Sequence, residues 1–145
     1  MGMIKNIDHI GIAVKDLDAG IKKWCELFGL PQPKKEKMEE RGVEVAALYT
    51  GKGPSVELIS PAGENSPVEK FLKTKGEGIH HFCLLVENLD EAILKLKQEG
   101  VSFIQPEPVK GTAGSRIIFI HPQNFNGVLI ELKEKGARPV DYSVY

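Results

Sequence analysis

Two histidines and two glutamates interrupt apolar runs at matching places along this chain of 145 residues. His9 lies in Ile7-Asp8-His9-Ile10-Gly11-Ile12-Ala13-Val14, and His81 lies 72 residues on in Ile79-His80-His81-Phe82-Cys83-Leu84-Leu85-Val86. Glu57 sits in Val56-Glu57-Leu58-Ile59, and Glu131 sits 74 residues on in Leu129-Ile130-Glu131-Leu132. Side chains alternate across a strand, so His9 falls on the face opposite Ile10, Ile12 and Val14. By the same count His81 shares a face with Cys83 and Leu85, opposite Phe82, Leu84 and Val86. Each glutamate is a lone carboxylate on the side away from its apolar neighbours. Burying it costs several kcal/mol unless it is paired or bound to a metal. Two imidazoles and two carboxylates facing one cavity form a ligand set for a divalent metal ion, with Co, Mn, Ni, Zn and Fe all suited to mixed N/O donors. On a six-coordinate ion, four protein ligands leave positions open for water or substrate, which distinguishes a catalytic centre from a closed structural one.

The elements that must position these residues come in two copies. Residues 7–27 and 79–99 share seven identities in 21 positions, among them Leu17-Asp18 with Leu89-Asp90 and Ile21 with Ile93. The pattern is that of a duplicated module. Each copy reads as strand, helix, then strands: a strand over 6–14, a helix capped by Asp16 or Asp18 and ended by Gly29, a loop through Pro31, Pro33 and the Lys-rich stretch, and strands near 43–50 and 54–60. Ser66-Pro67 opens a linker helix over about 66–76. The second copy predicts a strand at 78–86, a helix at 89–99 ended by Gly100, and strands near 101–105, 115–121 and 127–133. The fold class is α+β: two tandem βαβββ modules, about 5–61 and 78–134, forming a curved mixed sheet around a metal cavity with helices outside. They make one domain over 1–145, with an aperiodic tail at 135–145.

Composition narrows the partners. Nineteen Lys and Arg against 20 Asp and Glu leave a net charge of -1, which argues against nucleic acid or an anionic membrane as partner. Cys25 and Cys83 are too far apart for a metal knuckle and read as buried thiols in a reducing compartment. The opening turns polar at Lys5, Asn6 and Asp8 too early for a signal peptide, and no run approaches the roughly 18 apolar residues of a membrane span. The expectation is a cytoplasmic domain acting on a small molecule.

Several segments resemble the vicinal oxygen chelate superfamily, which includes glyoxalases, bleomycin resistance proteins and dioxygenases, and within it the methylmalonyl-CoA epimerase family. They are the strand around His9, Gly78-Ile79-His80-His81, Ile118-Phe119-Ile120-His121-Pro122, Gly127-Val128-Leu129-Ile130-Glu131-Leu132, Glu40-Arg41-Gly42-Val43 and Val56-Glu57-Leu58-Ile59-Ser60-Pro61. Gln123-Asn124-Phe125-Asn126 departs from the small, Gly-containing turn usual before the last of those strands. The resemblance implies a divalent metal held by His9, Glu57, His81 and Glu131. It further implies an acyl-CoA thioester substrate that chelates through two oxygens, and inversion at the α-carbon with Glu40 and Glu131 as acid and base on its two faces. Glu39 is the neighbouring alternative to Glu40. Lys110, Arg116 and Lys133 are candidates for the CoA phosphates, and the family often dimerises, so a homodimer is expected. His80 has the wrong parity for a ligand and reads as structural or supporting, like His121 beside Pro122. The turn Gly111-Thr112-Ala113-Gly114-Ser115 reads as an anion-contacting loop or a hairpin loop. The competing functions are a lactoylglutathione lyase of the glyoxalase I type, with the same ligand types, and a non-catalytic small-molecule-binding protein of the same fold.

Overall fold

The structure, a computed structural model, describes residues 2–135. The aperiodic tail lies outside the described residues from 136 on. The described residues form two compact bodies, one built from residues 9–80 and the other from residues 2–8 together with 81–135.

The first body holds the second half of β1 (Ile4–Ala13), α1 (Leu17–Phe28), β2 (Lys35–Met38), a one-turn 3-10 helix (Glu39–Arg41), β3 (Val43–Leu48), β4 (Ser55–Pro61) and α2 (Pro67–Lys75). Asp16 caps α1 by accepting a hydrogen bond from the Ala19 N–H at 3.0 Å, and Gly29 closes it in the left-handed conformation. The strand order is β2-β3-β4-β1, with β1 parallel to β4 and the other pairs antiparallel. Period-two alternation splits the apolar residues between two faces. Val14, Ala46, Leu48 and Leu58 pack on Leu17, Ile21 and Cys25 of α1. Ala13, Val43, Val45 and Ile59 belong to the other face and meet Val68, Phe71 and Leu72 of α2. One expectation is corrected here, because the Lys-rich stretch is not a loop but β2, paired with β3 from Lys35↔Ala46 to Met38↔Val43. Its alternating exposed charges suit an edge strand, where they discourage pairing with another chain, and that composition hid it from a hydrophobicity reading.

The second body repeats the plan with β5 (Gly78–Val86), α3 (Leu89–Gln98), β6 (Val109–Lys110), a 3-10 turn (Thr112–Gly114), β7 (Arg116–Ile120), a second 3-10 turn (Pro122–Asn124) and β8 (Ile130–Glu134). Its order is β5-β8-β7-β6, with β5 parallel to β8. Val86, Ile118, Ile120 and Leu132 pack against Leu89, Ala92 and Ile93 of α3. The expected α+β architecture of two βαβββ modules is therefore present, with mixed strand pairing in each. Residues 101–105 do not form the expected strand. They make a single bridge, Phe103↔Ile120, with the Ile104 N–H donating to the Phe119 carbonyl at 2.8 Å and the His121 N–H to the Ser102 carbonyl at 3.0 Å; the ladder stops there, since the Phe119 N–H donates to the Gln105 side chain at 2.9 Å. β8 starts at Ile130 and not 127, since Asn126 and Gly127 hold positive φ values of 58° and 77°.

The Gly111–Ser115 segment is the β6–β7 hairpin loop, closed by the Gly111 N–H donating to the Ser115 carbonyl at 2.8 Å. A Cβ at Gly111 would stand 2.7 Å from Ile117 Cγ2 and 2.8 Å from Ser115 Oγ. Ile117 is fully buried and cannot move aside. Gly111→Ala is therefore expected to destabilise by about 1–3 kcal/mol through overpacking, read as a lowered urea midpoint at unchanged slope.

Candidate functional site

In the first body the β1–β4 register sets His9 opposite Ser55 and Gly11 opposite Glu57. Glu57 is thus one strand across and two residues along from His9, on the same face, and its Oε2 lies 3.6 Å from His9 Nε2. The second body makes the same step. Phe82 stands opposite Ile130 and Cys83 opposite Glu131, and His81 Nε2 lies 3.2 Å from Glu131 Oε1. All four side chains are buried, with His9 3%, Glu57 7%, His81 1% and Glu131 5% exposed. The structure therefore sets the four ligand candidates in two equivalent imidazole–carboxylate pairs, one within each body.

These separations bear on what the pairs can hold. A charge-assisted hydrogen bond between imidazolium and carboxylate closes to about 2.7–2.9 Å. Two donors on one ion, each about 2.0–2.2 Å from it, are spaced about 3.0–3.5 Å at octahedral to tetrahedral angles. The pairs at 3.2 and 3.6 Å match the spacing of neighbouring ligands better than that of a closed ion pair. The donors also have the N/O chemistry that divalent transition ions take, so the residues fit a metal.

Glu39 and Glu40 are both exposed on the one-turn helix between β2 and β3. Successive residues of a 3-10 helix point about 120° apart, so the two carboxylates face different directions. The turn is fixed at its end by Gly42, whose N–H donates to the Glu39 carbonyl at 3.1 Å and whose carbonyl accepts from the Ala62 N–H at 2.8 Å. Gly42 has φ of 64°, while a Cβ there would meet Ser66 atoms only at an ordinary 3.6 Å. The obstacle to a side chain is thus conformational. Gly42→Ala is expected to cost about 1 kcal/mol and Gly42→Asn less, measured by thermal unfolding, because Asn tolerates the left-handed region.

Most of the remaining candidates have structural partners. The His80 ring stacks edge-on against Phe71 with centroids 4.9 Å apart, and His121 Nδ1 accepts from the Gln123 N–H at 3.2 Å, capping the turn that follows. Cys25 lies in the α1 core, where burial raises its thiol pKa, and Cys83 is fully buried beside Glu131. Arg116 donates to Asp90 at 2.9 Å and to Glu134 at 3.1 Å. Those hydrogen bonds raise its pKa and lower that of Asp90, so its guanidinium ties β7 to α3 and β8. Lys133 pairs with Asp8 at 3.4 Å, both side chains being largely buried. Lys110 is exposed. The Asp8–Lys133 pair is absent from the sequence expectations, where its one signal is an acid next to His9 within an apolar strand.

Residues 8–119 match the family model described as Glyoxalase/Bleomycin resistance protein/Dioxygenase superfamily. The mitochondrial methylmalonyl-CoA epimerase of Dictyostelium discoideum is 36% identical over 134 residues, which are 91% of this chain and 80% of that protein. The crystal structure of methylmalonyl-CoA epimerase from Mycobacterium tuberculosis superposes with a TM-score of 0.88 at 36% identity, covering 94% of this chain and 91% of that one. A methylmalonyl-CoA epimerase in complex with methylmalonyl-CoA and NH4+ gives a TM-score of 0.85 at 37% identity, covering 92% and 96%. With the paired strand–helix modules and the buried His/Glu pairs that each carries, this chain belongs to the Glyoxalase/Bleomycin resistance protein/Dioxygenase superfamily.

Proposed function

We propose that this protein is an isomerase that interconverts the 2R and 2S forms of methylmalonyl-CoA. The observation that carries the reading is the same buried His/Glu pair, built twice at one register in a chain that is 36% identical to a methylmalonyl-CoA epimerase over 91% of its length. His9, Glu57, His81 and Glu131 together hold one divalent ion of the Co, Mn, Ni, Zn or Fe kind. When bound, that ion supplies Lewis-acid stabilisation of the negative charge that grows on the thioester oxygen as the α-proton leaves.

The chain's own residues do the proton work. Inversion needs a base on one face of the α-carbon and an acid on the other. Glu40 serves one face, from a turn that Gly42 holds rigid, and Glu131 serves the other from within the sheet. A buried carboxylate keeps water from competing for the proton. Acyl-CoA is the substrate class, and the neutral net charge and two buried thiols support a cytoplasmic protein, which we take to act as a homodimer. Among the described residues no helix is long and apolar enough to cross a membrane.

The test is stereochemical. Enantiopure (2R)-methylmalonyl-CoA is incubated with metal-loaded protein and the two epimers are resolved, while the hemithioacetal of glutathione is offered in parallel. Racemisation without turnover of the hemithioacetal is the expected result. Turnover of the hemithioacetal with the CoA ester untouched would assign a lyase instead.

A further inference from the structure

We propose that Ala47 is a specificity-determining residue that admits the substrate's α-alkyl substituent beside Glu57, while Phe119 fills the equivalent place beside Glu131. The inference rests on the epimerase reading and adds the side on which the reacting carbon's substituent is received.

The two pairs are equivalent in ligands but not in neighbours. Glu57 is flanked in register by Gly11 on β1 and Ala47 on β3. Glu131 is flanked by Cys83 on β5 and Phe119 on β7. Gly11 and Cys83, like Ala47 and Phe119, stand 72 residues apart, the same offset as His9 and His81. The duplication therefore places a methyl group in one copy where it places a benzyl group in the other. The Phe119 ring is buried and meets His81 edge-on, with centroids 5.6 Å apart and planes at 84°. Its bulk closes the lateral space at Glu131 and holds the imidazole in place. Ala47 remains half-exposed, although Val43 and Val45 on the same face of the same strand are buried. Accessible space thus adjoins Glu57, walled by an apolar methyl. A short alkyl group on the α-carbon fits that wall, and each added methylene on either partner tests the fit.

Discrimination by one methylene in an apolar pocket is worth about 10–200-fold. The experiment compares kcat/KM for methylmalonyl-CoA and ethylmalonyl-CoA in wild type, Ala47→Leu, Ala47→Gly and Phe119→Leu, with bound metal counted in each. Ala47→Leu is expected to lower the ethyl-to-methyl ratio by about tenfold or more and Ala47→Gly to raise it, both at wild-type metal content. Phe119→Leu is expected to leave the ratio in place. An unchanged ratio in both Ala47 variants, or a ratio moved by Phe119→Leu and not by Ala47, overturns the assignment while the epimerase reading stands. A wild-type protein inactive on both thioesters overturns the reading and the assignment with it.

Discussion

A Glu40→Gln chain is expected to fold and load metal as the wild type does, yet to lose about 10²–10⁴-fold in kcat for epimerisation. Glu40 is exposed on a one-turn helix, so its amide isostere disturbs no packing and costs within about 0.5 kcal/mol of stability. What the substitution removes is the ability to take up and return a proton. KM should change little, because positioning of the CoA ester does not depend on that charge. With a base left on one face only, any residual deuterium uptake from solvent should be confined to one epimer. Glu39→Gln is the control for the neighbouring carboxylate, and it should stay near wild type because the 3-10 geometry turns that side chain away by about 120°. If Glu39→Gln is the inactive variant and Glu40→Gln the active one, the two roles are exchanged.

Glu131→Gln should fail differently, losing both metal and chemistry. The amide keeps the shape and an oxygen donor but removes the negative charge, which sits 3.2 Å from His81 Nε2 inside the sheet. Supporting residues around metal sites already cost about 10–100-fold in affinity when changed, so a ligand should cost at least that. The readout is thermal. An ion that binds only the folded chain stabilises it by about 2.7 kcal/mol at 100 times its Kd. In a chain of this size that is a rise of about 5–10 °C in Tm. Wild type and Glu40→Gln should show the rise, and Glu131→Gln should show a much smaller one at the same ion concentration. An equal rise in all three would remove Glu131 from the ligand set.

Much of this was legible in the sequence because the duplication supplied a second reading of every element. One histidine in a strand is weak evidence for a ligand, but the duplication puts His9 and His81 at one offset and one parity, and the structure adds that each lies two residues along from its carboxylate across a parallel pair. Two helix starts were equally plain, since Asp16 and Ser66 accept cap hydrogen bonds where such residues are expected to. What stayed hidden has physical reasons. β2 is an edge strand of Lys and Glu, whose charge pattern imitates a solvated loop. The segment after Gly100 carries apolar residues but pairs at one bridge only, because the Phe119 N–H that would extend the ladder donates to the Gln105 side chain, and no hydrophobic pattern encodes that. The Asp8–Lys133 pair joins residues 125 apart, and a long-range pair of that kind leaves no local signal.

The most direct test of the central claim, metal-assisted removal of the α-proton by this chain's carboxylates, is isotopic. Methylmalonyl-CoA is incubated in deuterated water with metal-loaded wild type and with chelator-treated wild type, and deuterium at the α-carbon is followed by mass spectrometry. Entry of one deuterium at the rate of epimerisation, abolished by the chelator and restored by the ion, is the expected result. Metal-loaded protein that leaves the α-proton in place, or exchange that proceeds unchanged after the metal is removed, would contradict it.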